Sequence, residues 1–280
     1  MNKTKKAKRV IPGFGLSMGV TVSILSIIVL IPLASLVIYT AQMSWSDFID
    51  TVTSERVVAS YQVSLITAFI ASAINAVMGV ILAWVLVRYK FPGKRILDGM
   101  IELPFALPTA VAGIALTSLT ADTGYIGSFF ARFGISIAYT RVGITFALVF
   151  IGIPFVVRAV QPVLEKLDPV YEEAAGVMGA SRIKIFWKII FPEILPSILT
   201  GFGLAFGRCL GEYGSSVIFI AGNKPFETEI TPLIIMSKLQ EFDYKSATAI
   251  ALVMLAASFL ILFVVNLIQA RNSKILKGGR

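Results

Sequence analysis

Residues 168–196 read DPVYEEAAGVMGASRIKIFWKIIFPEILP, a stretch rich in charge and small side chains between two apolar runs. Its local signals fold it. Asp168 is placed to cap a helix with Pro169 at the first helical position. Glu172 and Glu173 fall in the first turn, where carboxylates meet the positive end of the helix dipole. Gly179 can take the left-handed conformation that closes a helix. Ser181 can cap a second one, in which Ile183, Phe186, Trp187 and Ile190 recur at helical spacing. Pro192 and Pro196 then punctuate the approach to the next apolar run, so the expectation is two short helices joined by a turn. The Glu173, Ala174, Ala175 and Gly176 face is low in bulk and suits close docking on another surface. An amphipathic element resting at a membrane interface is the competing reading.

The rest of the chain sets the context for that stretch. Of 280 residues, 56% are hydrophobic and 15% charged, and the mean hydropathy is +0.84. Such a chain has too little polar surface to cover itself in water, which makes the bilayer its solvent. A net charge of +9 raises nucleic acid as a partner. The cations, however, sit in short clusters between apolar runs, a pattern of membrane orientation and not of nucleic-acid binding. With no histidine and only Cys209, the chain cannot form an internal disulfide, and it lacks the means for histidine-based acid–base chemistry or most His/Cys metal sites.

A spanning helix needs about 20 apolar residues to cross the hydrocarbon. Candidate spans lie near residues 16–40, 61–87, 101–120, 141–161, 195–221 and 247–270. Six spans put both termini on one side. The apolar run after the basic N-terminus is too long for a cleaved signal peptide and predicts an uncleaved first span. Under this topology eighteen Lys and Arg residues fall in the termini and the loops on their side, and six in the alternate loops. That asymmetry places both termini and residues 168–196 in the cytoplasm. The predicted organisation is a basic N-terminus (1–13), one transmembrane domain (14–270) with a cytoplasmic loop at about 165–194, and a basic C-terminus (271–280).

Two spans carry features beyond apolarity. Pro104 and Pro108 remove backbone donors in the third, which therefore reads either as a tolerated kink or as a broken helix lining a pathway, with Thr109, Thr117 and Ser118 supplying hydroxyls. In the fifth, Arg208 and Glu212 are four apart, so on a helix they share a face and can pair. Lone charges facing lipid are costly. Three readings fit them: a buried pair fixing helix register, an anion path to which Arg208 contributes positive potential while Glu212 holds it, and a proton relay through Glu212. Beside them Gly203, Gly207, Gly211 and Ser215 form a small-residue stripe that lets another helix or subunit approach closely. Ser216 continues the charged face, and the pathway candidates are Arg208, Glu212, Ser215 and Ser216.

The stretch EEAAGVMGASRIKIFWKIIFP resembles the EAA loop of binding-protein-dependent ABC transporter permeases. That loop has the pattern E-A-A, three residues, G, nine residues, then I-x-L-P. Glu173, Ala174, Ala175, Gly179, Ile189 and Pro192 fit it in register, and Phe191 stands in place of the usual Leu. LPFALPTAVAGIAL, GRCLGEYGSSVIFIAGN and LQEFDYKSATAIALV are similar to the T-type subunits of sulfate/thiosulfate permeases, with molybdate permeases as close relatives.

The resemblance implies an all-α polytopic fold, that of a type I importer permease, in the inner membrane. It also implies that this chain pairs with a second, related permease subunit and with two copies of an ABC ATPase. Substrate would arrive from an external sulfate-binding protein, and lipid would surround the chain. Glu172, Glu173, Ala174, Ala175, Gly179 and Pro192 would then couple to the ATPase. The chain contains no G-x-x-x-x-G-K-[ST] motif, so ATP and Mg would be bound by the partner, and no catalytic residue, metal or cofactor is expected in this chain. A proton-coupled secondary transporter, or a scaffold that moves nothing, are the rival classes.

Overall fold

The computed structural model describes residues 14–213 and 220–278, and every described regular element is helical. In chain order these are α1 (Phe14–Thr40), α2 (Trp45–Val52), α3 (Glu55–Arg88), α4 (Lys94–Ile101), α5 (Leu103–Ala106), α6 (Thr109–Thr120), α7 (Tyr125–Ala131), α8 (Arg141–Lys166), α9 (Val170–Val177) and α10 (Arg182–Ile185). A π turn (Phe186–Ile190), α11 (Phe191–Leu210), α12 (Thr231–Gln240) and α13 (Tyr244–Gly278) complete the series. Among the described residues five stretches are long and apolar enough to cross a membrane: Phe14–Thr40, Glu55–Arg88, Arg141–Lys166, Arg182–Leu210 and Tyr244–Ala270.

The third expected span is the exception. It is divided into α4, α5 and α6, and the clean break falls at Leu107, whose backbone is extended at φ −84 and ψ 135. The ring of Pro108 disfavours a helical residue before it, which accounts for the break at that position. Pro32, Pro154, Pro162 and Pro196 by contrast lie inside continuous helices. The Thr117 hydroxyl, read as a candidate pathway donor, is bonded to the Gly113 carbonyl of its own helix at 2.8 Å.

The fifth span also differs from its expected bounds of 195–221. The helix begins at Arg182 and ends at Leu210. The predicted second short helix is therefore the first turn of this span and not a separate element. A proline ring collides with the carbonyl four residues back, here that of Lys188. The wider π turn over Phe186–Ile190 displaces that carbonyl and lets the helix run on through Pro192.

Helices α3, α8 and α11 form the centre, α13 packs on α11, and α1 packs on α13. The centre is drawn tight around Val156 of α8, which is fully buried. A Cβ built on Gly79 of α3 would lie 2.6 Å from Val156 Cγ1, and one on Gly201 of α11 would lie 2.8 Å from Val156 Cα. One turn away, a Cβ on Gly152 would strike the side-chain amide of Asn75. Missing side chains at these three glycines are what let three helices meet at backbone distance.

The stripe expected to serve this purpose does not do so within the chain. Gly203 would meet Leu262 at an ordinary 3.7 Å, Gly207 has open space, and Gly211 lies past the end of α11 near only its own helix. Gly207 and Gly211 border a groove of about 420 Å³ shared with Leu36 of α1 and Met254 of α13.

Because the obstacle to a Cβ at Gly201 is backbone, Gly201→Val should cost about 1 to 3 kcal/mol through overpacking. Thermal unfolding in detergent is expected to show a clear drop in Tm for Gly201→Val, while Gly203→Ala and Gly207→Ala leave Tm unchanged.

Candidate functional site

One end of the bundle carries α9. Its start is organised by Asp168, whose carboxylate accepts from Val170 N at 3.0 Å. Its close is a Schellman motif around Gly179 at φ +82. Gly179 N donates to Gly176 O at 2.9 Å and Ala180 N to Ala175 O at 3.0 Å, satisfying carbonyls the helix leaves open. Ser181 then caps α10, accepting from Lys184 N at 3.4 Å.

The residues expected to face a partner separate into two groups. Glu173 and Ala174 are exposed. Ala175 is not: it is buried in a cluster with Leu86 of α3, Val160 and Leu164 of α8, and Ile190 and Ile194 of the fifth span. Its small side chain lets α9 seat against the bundle, so it cannot supply an outward contact surface. Glu172 is likewise turned inward, ion-paired with Arg88 at the end of α3. The Arg88 guanidinium also lies 5.6 Å from the centre of the Trp84 ring. Pro192 is half-buried inside the fifth span.

The outward surface includes two residues that sequence reasoning passed over. Val177 is 90% exposed and Met178 82% exposed. They immediately precede Gly179, and two bulky apolar residues beside a turn glycine were the available signal. With Glu173 and Ala174 they form a bare apolar tip with one carboxylate beside it.

The second constellation lies at the other end of α11. Arg208 occupies the last turn, where a cation meets the negative end of the helix dipole. Glu212 lies beyond the helix end, so the pair forms across a cap and not along a helix face as expected. Arg208 Nη1 donates to Glu212 Oε2. The two partners are unequal: the Glu212 side chain is 2% exposed and that of Arg208 36%. Glu212 thus holds the guanidinium from below while part of it faces open space. Among the described residues Glu212 Oε1 is buried without a hydrogen-bond partner. It faces a small void of about 10 Å³ lined by Ser64, Thr67 and Cys209 among others, about the room one water needs. Ser215 and Ser216 lie outside the described residues.

Around this pair α3 contributes a buried polar face that the sequence reading did not single out: Ser60, Ser64, Thr67, Ser72 and Asn75. Small polar residues three to five apart in an apolar helix were the signal. Ser64 Oγ accepts from Thr231 N at 2.8 Å, capping the start of α12. Asn75 has neither side-chain amide atom hydrogen-bonded.

Ionic ties fix the pieces around the core. Arg56 at the start of α3 makes two bonds to Glu229, at 2.7 and 2.6 Å, and Arg141 Nε donates to Glu227 O at 2.8 Å. This holds the 222–230 loop, and α12 buries Thr231, Leu233 and Ile234. Much of the stretch from 222 to 240 is thus committed to the fold. Arg158, counted above with the loop cations, instead lies within α8. It donates to Asp98 Oδ1 and Glu102 Oε1, each at 2.7 Å, tying the broken segment to the bundle.

The family described as "Binding-protein-dependent transport system inner membrane component" matches residues 75–276. The chain is 51% identical to the "Sulfate transport system permease protein CysT" of Salmonella typhimurium over 265 residues, covering 95% of each. It is 50% identical to the Escherichia coli protein of the same description, again over 95% of each. Among solved structures it is similar to a bacterial ABC transporter involved in the import of the acidic polysaccharide alginate. That likeness has a TM-score of 0.74 at 20% identity, over 91% of this chain and 94% of that one. A chain of the MetNI methionine ABC transporter matches with a TM-score of 0.59 at 17% identity, over 82% and 99%. With a fold shared by importer subunits and half its residues shared with full-length relatives, the chain belongs to the binding-protein-dependent transport system inner membrane components.

Proposed function

We propose that this chain is the T-type permease subunit of an ATP-driven importer that moves sulfate, and with it thiosulfate, inward by alternating access. The identity to sulfate permeases over nearly the whole chain supports sulfate over molybdate. In this reading the termini and α9 lie in the cytoplasm, and the broken segment from Lys94 to Thr120 is the sixth crossing. The assembly contains a second permease subunit, two ATPase copies that hold ATP and Mg, and an external sulfate-binding protein.

The observation that carries the mechanism is how α9 is anchored. Ala175 sits in the core, Glu172 is paired with Arg88, and α10 runs without a break into the span that carries Arg208 in its last turn and ends at Leu210. A partner that grips Val177, Met178 and Glu173 and moves when it binds ATP therefore displaces a rigid helix. That helix, Arg182–Leu210, has 29 residues, or about 43 Å at the helical rise. It pivots where Gly201 abuts Val156, about 28 Å from Arg182 and about 10 Å from Arg208. A shift at the loop thus reaches Arg208 reversed in direction and scaled down about threefold, and in this reading it turns the open donors from one side of the bundle toward the other. An anion held by those donors is exposed to one side and then the other. The direction is set by which loop position the ATP-bound partner favours.

Val177→Asp combined with Met178→Asp, and separately Glu173→Lys, should weaken ATPase retention on the purified complex by about tenfold or more, since each bulky apolar contact is worth about 1.5 to 3 kcal/mol. Sulfate uptake should fall with it and Tm stay unchanged, because these side chains are exposed. Full coupling in all of these variants contradicts the assignment.

Arg208→Ala is expected to lower uptake about 10- to 100-fold, the range of one charge-assisted hydrogen bond. Combining it with Glu212→Gln removes the stranded carboxylate and should restore assembly without restoring uptake. Unchanged uptake in a folded Arg208→Ala complex contradicts the pathway role. Recovery of uptake together with assembly in the double variant assigns the pair to helix register alone.

A further inference from the structure

One sizeable cavity among the described residues lies away from the anion path proposed above. It is a groove of about 800 Å³ between the last three turns of α3 and the start of the fifth span. Val80, Ile81 and Val85 form one wall, and Ile183 and Trp187 the other. Trp84 of α3 packs edge-on against Phe186 at 5.8 Å between ring centres, closing the floor. The lining is almost wholly apolar until its mouth, where Lys90 and Arg182 stand. Both are exposed. Among the described residues no carboxylate pairs with either of them.

The arrangement is amphipathic along a single direction. From Val80 to Arg88 the groove follows about 12 Å of helix, so its inner end lies at the depth of hydrocarbon and its mouth at the interface. A water-soluble subunit cannot reach the inner end. Trp84, Trp187 and Tyr89 mark the level at which aromatic side chains settle between tails and headgroups. Two unpaired cations at that level, on the cytoplasmic side under the orientation proposed above, face the leaflet that carries anionic lipid.

We propose that this groove is a binding site for an anionic phospholipid of the cytoplasmic leaflet, its tail along Val80, Ile81 and Val85 and its phosphate between Lys90 and Arg182. The occupied site joins the end of α3 to the first turn of the fifth span. These are the two elements that anchor α9, through Arg88 and through Ser181. A bound lipid stiffens that junction, and the local lipid composition sets how firmly the loop is held.

The test uses the assembled transporter in nanodiscs containing phosphatidylglycerol and phosphatidylcholine in equal amounts, with the lipid retained after mild delipidation counted by native mass spectrometry. The expected result is preferential retention of phosphatidylglycerol. Lys90→Gln with Arg182→Gln should reduce it about 30-fold, the factor for two interfacial cations, and leave phosphatidylcholine unaffected. A photo-crosslinking residue replacing the exposed Trp187 should attach to lipid. Equal phosphatidylglycerol retention in the parent and the double variant overturns the proposal, as does attachment of the crosslinker to the second permease subunit or the ATPase. Neither readout involves transport, so the outcome stands apart from the sulfate reading.

Discussion

The contact on which the rest of the structure depends is the meeting of α3, α8 and α11 at Val156. Gly79 and Gly201 bring two helices to within backbone distance of a third, and no flexible side chain lies between them to absorb a displacement. Packed interiors of this kind are bistable and not continuously deformable. The fifth span can therefore tilt about this point but cannot easily slide past it. Both functional ends inherit their geometry from it: α9 below, through Ala175 and Glu172, and the Arg208 cap above.

Polar satisfaction is incomplete at both ends. At the α9 end the Schellman motif, the Ser181 cap and the Arg88–Glu172 pair account for the helix termini and the charge, but among the described residues Arg88 Nε is buried without a partner. At the Arg208 end Glu212 Oε1 and both amide atoms of Asn75 are likewise buried without partners among the described residues, and unpaired polar atoms in a low-dielectric interior are costly. They are groups whose bonding improves if the helices around them rearrange. A transporter needs a second arrangement of similar energy, and unsatisfied groups at both ends of the central bundle fit that need.

The parts legible in the sequence were those decided locally. Gly179, Ser181 and the break before Pro108 follow from the conformational limits of one or two residues, and the long apolar helices follow from composition. The parts that were not legible depend on residues far apart in the chain. Nothing near Glu172 announces Arg88, 84 positions earlier. Ala175 looks like an outward contact residue until α8 and the fifth span close over it. Within the chain the regular spacing of Gly203, Gly207 and Gly211 marks no tight helix contact, whereas the isolated Gly79, Gly152 and Gly201 do, and their value appears only when their neighbours are in place. The end of the fifth span at Leu210 was hidden by the apolar residues that continue past it.

The central claim is that the Arg182–Leu210 helix moves as one body with α9. Spin labels at Val177→Cys and Leu204→Cys, and in a second pair at Ile183→Cys, far from the pivot, and Ile66→Cys, report this by pulsed electron resonance in the assembled transporter with and without ATP. Cys209 is buried and is left in place. The account predicts a constant distance in the first pair and an ATP-dependent one in the second. A first-pair distance that changes with ATP while the second stays fixed would mean that the loop moves without the span, and would contradict it.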